Sequence, residues 1–159
     1  MTKFLSSLLL IVLSLTGCQS EGIEPVDGYY KVAEIVDGDT VLLTNGKKVR
    51  YIGIDTPETR KKIGTEWIHD PEPFANEAKK YNESLVAGSR VRLEFDKEKY
   101  DKYNRWLAYV YTDNGIFANR ELVSEGLAKV YMFPPNTRYY KLLYDAQEEA
   151  KKSQKGIWT

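Results

Sequence analysis

Arg50-Tyr51-Ile52-Gly53-Ile54-Asp55-Thr56-Pro57-Glu58-Thr59 sets a cation, then two carboxylates three residues apart, where an apolar strand runs into a proline. Tyr51 to Ile54 reads as a strand with one or both faces buried. Pro57 has no N–H to donate, so it marks the strand's exit. Carboxylates fixed at a strand end are placed to hold a hard cation or to move a proton. The positive charge of Arg50 beside them points to an anionic substrate. Arg50 and Asp55 are five residues apart, so strict alternation sends them to opposite faces. Both must reach one site. A bulge or sharp coil is therefore expected between them, with Gly53 the candidate position.

The flanking sequence extends this strand into a small barrel. Tyr29 to Val36 is β-rich, Asp37-Gly38-Asp39 is a turn signal, and Thr40 to Thr44 is apolar again. Asn45-Gly46 is a strong hairpin signal, after which Lys48 to Ile54 completes a three-stranded meander. Thr59 to Asp70 reads as a polar loop in which Trp67 and His69 are packing residues. Asp70-Pro71 reads as a cap followed by proline at the first helical position. Phe74, Ala78, Tyr81 and Leu85 then mark one helical face, ended by Gly88. Val91 to Phe95 alternates as a strand, Asp96 to Arg105 is a charged loop, and Trp106 to Tyr111 is the fifth strand. Asn119 is expected to cap a short helix that runs through Glu125 and stops at Gly126. Leu127 to Phe133 reads as extended, broken by Pro134-Pro135. Leu143, Ala146 and Ala150 mark one face of a last helix. The reading is an α+β domain with a five-stranded barrel, since closure removes exposed sheet edges.

The chain has 159 residues, enough for one domain with a sizeable core. Basic and acidic residues balance at 23 each, which gives no general electrostatic case for binding a polyanion. That case must rest on local constellations. The start is different in kind. A short basic end precedes the apolar run Phe4 to Leu15, too short for an ordinary transmembrane helix. Leu15-Thr16-Gly17-Cys18 follows and resembles the bacterial lipobox. The resemblance implies cleavage after residue 17 and lipid attachment to Cys18, the only cysteine. Residues 1–17 are thus expected to be a lipoprotein signal peptide. Residues 18–28 would be the lipidated cysteine with a flexible tether, and 29–159 the folded domain. Removing 1–17 takes away one basic residue, leaving 22 against 23 and a net charge of −1. No second cysteine remains to form an internal disulfide.

Asp39 and Asp55 are candidate metal ligands. Their surroundings offer oxygen, and the single histidine, His69, lies in the polar loop. That excludes a His-rich zinc site and an ordinary Ser-His-Asp triad. A hard ion such as Ca²⁺ or Mg²⁺ is consistent, with water and substrate oxygens completing its shell. Glu58 is left to act on a water. Arg50 and Arg105 can fork onto phosphate oxygens and keep their charge at any working pH. Taken singly, each element has a plain structural reading as a turn, a helix start or a surface charge. Together they suit phosphodiester hydrolysis.

The pieces Val36-Asp37-Gly38-Asp39-Thr40, Arg50 through Thr59, Phe95-Asp96-Lys97, Asp101 through Tyr109, Gly126 through Val130 and Gly156-Ile157-Trp158 occur in an order that closely resembles the staphylococcal nuclease family. The resemblance implies an OB-fold barrel with three helices and Ca²⁺-dependent endonuclease action on DNA and RNA. It implies that Asp39 and Asp55 ligate the ion by side chain and Thr56 by its backbone carbonyl. Glu58 would match the general base, and Arg50 and Arg105 the catalytic arginines. Lys102 and Tyr103 would contact a neighbouring phosphate, while Tyr131 and Phe133 would lie beside the base. Asn104 stands where the family usually has glycine. Asn is the best non-glycine substitute for a positive φ.

A monomer that acts on nucleic acid from a membrane anchor, outside the cytoplasm, is the expectation. The alternative is a non-catalytic OB-type module that binds nucleic acid or protein. Such a module would be expected to lose the carboxylates or the arginines, and all five are present here. A purely structural envelope lipoprotein would leave the site set unexplained. Each acyl chain contributes about 0.8 kcal/mol of membrane binding per buried CH₂. Replacing Cys18→Ala should therefore abolish labelling by radioactive fatty acid and move the protein from the membrane pellet to the soluble fraction. Unchanged labelling would reject the lipobox.

Overall fold

Asp37-Gly38-Asp39 and Asn45-Gly46 fold the first three strands back on one another. The computed structural model describes residues 23–159. The expected signal peptide and Cys18 lie outside the described residues. β1 (Gly28–Asp37), β2 (Thr40–Leu43) and β3 (Lys48–Tyr51) form the antiparallel meander. Gly38 must be glycine for a packing reason. A Cβ there would lie 2.8 Å from both the Ala78 Cβ and the Thr56 hydroxyl. Gly46 supplies the positive φ of the second turn, at 80°.

β3 does not run on to Ile54. It stops at Tyr51, and Gly53 takes φ 81°. The chain then re-enters as β4 (Ile54–Asp55), which pairs with β9 (Lys129–Val130) outside the barrel. The expected break in alternation is thus at Gly53. β7 (Arg90–Tyr100) and β8 (Trp106–Thr112) complete the barrel in the order β1-β2-β3-β8-β7. β3 and β8 are its parallel pair, and β1 on β7 closes it. Five barrel strands and three helices are the architecture expected from the sequence.

Inward residues of all five strands fill the core. Leu43, Val49, Leu93 and Trp106 are fully buried or nearly so, each stabilising by about 1.5–3 kcal/mol. Trp106 takes Tyr30 and Phe95 edge-on at 5.5 and 5.7 Å. α1 (Ala75–Val86) covers β1. Its buried line is Ala75, Ala78, Asn82 and Val86, with Phe74, Tyr81 and Leu85 on the flank. Asn82 is buried because it has work there: it accepts from the Tyr51 hydroxyl at 2.9 Å and donates to the Asp37 carbonyl at 3.2 Å. α3 (Tyr140–Lys152) buries Leu143, Ala146 and Ala150 as its spacing predicts.

Several local readings are corrected. Thr59 to Asp70 is not a loop but carries a hairpin, β5 (Arg60–Ile63) and β6 (Glu66–His69), whose residues are all exposed. It showed no apolar alternation because neither face is buried. Trp67, 64 % exposed, therefore packs in no core, and His69 is exposed as well. Helix α1 starts at Ala75, not at Pro71, after Phe74 with φ 68°. Glu72 is engaged elsewhere, exchanging two 3.0 Å hydrogen bonds with Glu58. Of the segment 127–133 read as extended, only Lys129–Val130 forms a strand, while Phe133 makes an isolated bridge to Asn136. The tether reading covers Glu24 to Asp27, yet these residues clasp β7. Lys99 donates to the Pro25 carbonyl, Tyr100 to Glu24, and the Phe95 N–H to Asp27, all within 3.0 Å.

Asn119 is the most consequential misreading. It lies inside α2 (Ala118–Ser124) and does not cap it. Fully buried, its Oδ1 accepts from the Val110 N–H at 2.9 Å and its Nδ2 donates to the Ile52 carbonyl at 2.8 Å. It pins the end of the β3 segment to β8. Asn119→Ala leaves both backbone groups buried without partners, at about 1–3 kcal/mol each. The expected loss is about 2–4 kcal/mol in urea unfolding. A loss under about 1 kcal/mol would show that this clamp does not matter.

Candidate active site

Arg50 points out of β3 into the bend that Gly53 makes. Its Nη1 donates to the carbonyls of Tyr51 and Ile54 at 3.1 and 2.9 Å. The same nitrogen lies 3.0 Å from Asp39, and Nη2 lies 2.6 Å from Asp55. One guanidinium thus gathers the turn before β2, the end of β3 and the start of β4. Asp39 is itself buried, taking the Thr56 N–H at 2.9 Å, the Thr56 hydroxyl at 3.0 Å and the Thr40 hydroxyl at 3.0 Å. Asp55 is more open, its side chain 54 % exposed.

The charge balance here is lopsided. Burial and then the charges of Asp37, Asp39 and Asp55 push the Glu58 carboxyl above its ordinary range, with Arg50 opposing. Asp55 is also raised, by burial first and then by Asp39 and Glu72 against Arg50 and Lys129. Excess carboxylate around one guanidinium favours an added cation. Whether a metal fits can be judged from the donors. All are oxygens, and Asp39 and Asp55 both reach the Arg50 guanidinium. Among the described residues no group of three or more His, Cys, Asp or Glu side chains is placed to hold a metal ion by itself. Asp39 and Asp55 are hard oxygen donors, so they suit only a cation that takes the rest of its shell from water and substrate.

A cleft of about 340 Å³ opens beside this cluster, lined by Arg50, Asp55, Arg105, Tyr131, Phe133 and Asn136 among others. Arg105 comes from the loop after β7, 55 residues along the chain from Arg50. Tyr131 and Phe133 stand 6.2 Å apart, tilted by 36° and partly exposed. The Tyr131 N–H donates to the Gly53 carbonyl at 3.0 Å, so the bend that seats Arg50 also seats the aromatic wall. Five of the expected site residues therefore share one cleft, with Asp39 and Thr56 behind it. Glu58 borders a neighbouring groove instead. Lys102 and Tyr103 do not line the cleft. They form the tip of the Arg105 loop, with the Lys102 ammonium 5.0 Å and the Arg105 guanidinium 5.5 Å from the Tyr103 ring.

Sequence reasoning assigned no role to Asp101, Glu72 and Asn136. Asp101 organises the arginine loop: Oδ1 accepts from the N–H groups of Tyr103 and Arg105 at 2.9 Å, and Oδ2 takes the Arg105 Nε at 2.6 Å. The signal was the Asp101–Arg105 spacing around Asn104, whose φ is 60° as expected for a stand-in for glycine. Asn136 locks the segment after Phe133 to Glu98 through two hydrogen bonds of 2.7 and 2.8 Å.

With this geometry in view, the likeness to known proteins is direct. Residues 48–159 match the family described as Staphylococcal nuclease homologue. The chain is 41% identical over 133 residues to a thermonuclease of Staphylococcus intermedius, covering 81% of this chain and 75% of that protein. It is 39% identical over 134 residues to the thermonuclease of Staphylococcus hyicus, covering 82% and 75%. To an endonuclease of Bacillus subtilis, YncB, it is 43% identical over 129 residues, covering 78% of this chain and only 58% of that longer protein.

Asp101 yields a test of the loop. Burial raises its carboxyl, but the bonds from Arg105 and Tyr103 outweigh this and hold it below the ordinary value of 3.8. A depressed folded value stabilises the fold above the unfolded value and is lost as pH falls through the folded one. Asp101→Asn should cost about 1–2 kcal/mol at neutral pH, from weakened charge-assisted bonds. The gap from wild type should close below about pH 3.8, read by urea unfolding across pH. A gap independent of pH would assign the cost to packing instead.

Proposed function

Because the chain belongs to the staphylococcal nuclease family and is a phosphodiester-hydrolysing nuclease, we propose that it is a calcium-dependent endonuclease cutting DNA and RNA from a lipid anchor on the bacterial cell envelope. The observation that supports the chemistry best is the Arg50 guanidinium held between Asp39 and Asp55 at the edge of a cleft that also holds Arg105. A non-catalytic binding module would not need this set.

In this reading Asp39, Asp55 and the Thr56 carbonyl would hold Ca²⁺. When bound, such an ion neutralises phosphate oxygens and makes a nearby water more acidic. Glu58 takes a proton from the attacking water as the new P–O bond forms. Arg50 and Arg105 fork onto the non-bridging oxygens, where negative charge grows as the pentacoordinate transition state forms; the P–O bond to the leaving oxygen then breaks, and that oxygen takes up a proton from solvent water. Arg50 is placed for this because it lines the cleft with Arg105, and its nitrogens would share their hydrogen bonds between the phosphate and Asp39 and Asp55. Tyr131 and Phe133 offer a stacking surface to a base beside the scissile phosphate, contributing about 1–3 kcal/mol per base. Lys102 and Tyr103, at the exposed loop tip, meet the next phosphate. The protein acts as a monomer.

The lipid anchor at Cys18 explains the N-terminal sequence and places the enzyme outside the cytoplasm. There it would meet nucleic acid arriving at the membrane surface. The near-neutral net charge implies weak long-range steering, so capture depends on the cleft itself.

The test is digestion of single-stranded DNA and of RNA by the whole protein, with calcium and with chelator. Wild type should cut both, and only with calcium. Glu58→Gln should lower kcat by about 10²–10⁴-fold. Arg50→Lys and Arg105→Lys should each lower it by about 10²–10³-fold, as removal of an oriented donor does. A wild type that cleaves equally well in chelator would refute the calcium assignment, and one that cleaves nothing would refute the enzyme.

A further inference from the structure

Among the described residues the hairpin β5–β6 pairs with no other strand, and an isolated two-stranded hairpin is only marginally stable in water. Its register sets Arg60 opposite His69 and Lys62 opposite Trp67. Alternation therefore gathers Arg60, Lys62, Trp67 and His69 on one face. Arg60, Lys62 and Trp67 of this face, with Lys61, line a groove of about 500 Å³ that Glu58, Asp70 and Glu72 also border; His69 does not reach it. Among the described residues no acid pairs with Arg60, Lys61 or Lys62. The Trp67 ring, 64 % exposed, leaves its apolar area in water.

We propose that this face is a second nucleic-acid subsite, in which Trp67 stacks on a base of the substrate strand while Arg60 and Lys62 hold its phosphates. The proposal rests on the nuclease reading for the identity of the occupant. Continuity argues for it. Glu58 borders this groove, and Asp55, three residues earlier, lines the catalytic cleft. On this proposal a strand leaving the cleft past Glu58 would enter the groove. The groove carries three acids, Glu58, Asp70 and Glu72, against three bases, Arg60, Lys61 and Lys62, so phosphates would be held on the hairpin side, away from the acids. A cation directly across the strand pair from an exposed indole suits a nucleotide, whose base and phosphate are one unit. Stacking is tolerant of sequence, so the subsite would add affinity without base preference.

Binding measured in chelator separates this subsite from catalysis. The whole protein is titrated into labelled oligothymidylate, either long or only a dinucleotide, and anisotropy is read. Trp67→Ala should weaken the long strand by about 5- to 150-fold, the effect of losing one stacked base, and leave the dinucleotide unchanged. Trp67→Phe should retain most of the affinity. Lys62→Gln should reduce the slope of log Kd against log salt by about 0.7, one phosphate contact to a single strand. The subsite is rejected if Trp67→Ala binds the long strand as wild type does, or loses both ligands equally. Trp67-dependent binding by a wild type that never cleaves would keep the subsite and reject the nuclease reading. Calcium-dependent cleavage with Trp67-independent binding would do the reverse.

Discussion

One strand must serve both the barrel and the site, and the positive φ of Gly53 lets it. Up to Tyr51 the segment is a barrel stave, in register with β2 on one side and β8 on the other. Past Gly53 it belongs to a different ladder. Without that reversal, Asp55 could not return over Arg50. A non-glycine residue in the left-handed region costs about 1–2 kcal/mol. A side chain there would also meet Leu143 of α3, 2.7 Å from an ideal Cβ. The bend is therefore covered by the last helix, and it carries Tyr131 on its carbonyl. Barrel, helix and aromatic wall all take their position from this one peptide.

Around the bend, buried amides hold what apolar packing cannot. Asn82, Asn119 and Gln147 each join two elements that share no ladder at that point. Gln147 of α3 accepts from the Val130 N–H at 2.8 Å. Buried polar groups that are fully satisfied fix one arrangement, because any slip leaves a donor or acceptor unpaired. Apolar contacts alone would tolerate such slips. The carboxylate cluster works against the fold, since neighbouring acids raise each other's cost of ionisation. Arg50 offsets that cost and is also the group best placed to meet a phosphate. Function and stability draw on the same guanidinium.

Much of this was legible in the sequence, and the exceptions have physical causes. The strands of the barrel showed through alternation because each has one buried face. The bend at Gly53 followed from a conflict between two residues that had to meet. The hairpin at Arg60–His69 was invisible for the opposite reason: exposed on both faces, it has no hydrophobic period to read. Asn119 carries the same side chain whether it caps a helix or clamps two strands, and only the fold decides. Asp70-Pro71 is a fair local helix start, overruled because Glu72 is drawn to Glu58. The roles of Asp39, Asp55 and the two arginines came from chain order and chemical type, and three of the four line one cleft with Asp39 behind it.

On the proposed anchor, the clasp of Glu24 to Asp27 on β7 would set the length of a leash. Lys99 and Tyr100, which hold that clasp, immediately precede the Asp101–Arg105 loop. Between Cys18 and Glu24 lie only six peptide steps, which extend to at most about 20 Å. On the proposed anchor, the domain would work within a thin layer against the bilayer instead of sweeping a wide volume. Nucleic acid drawn to that surface would meet it at high local concentration, and polymer free in the medium would be largely out of reach.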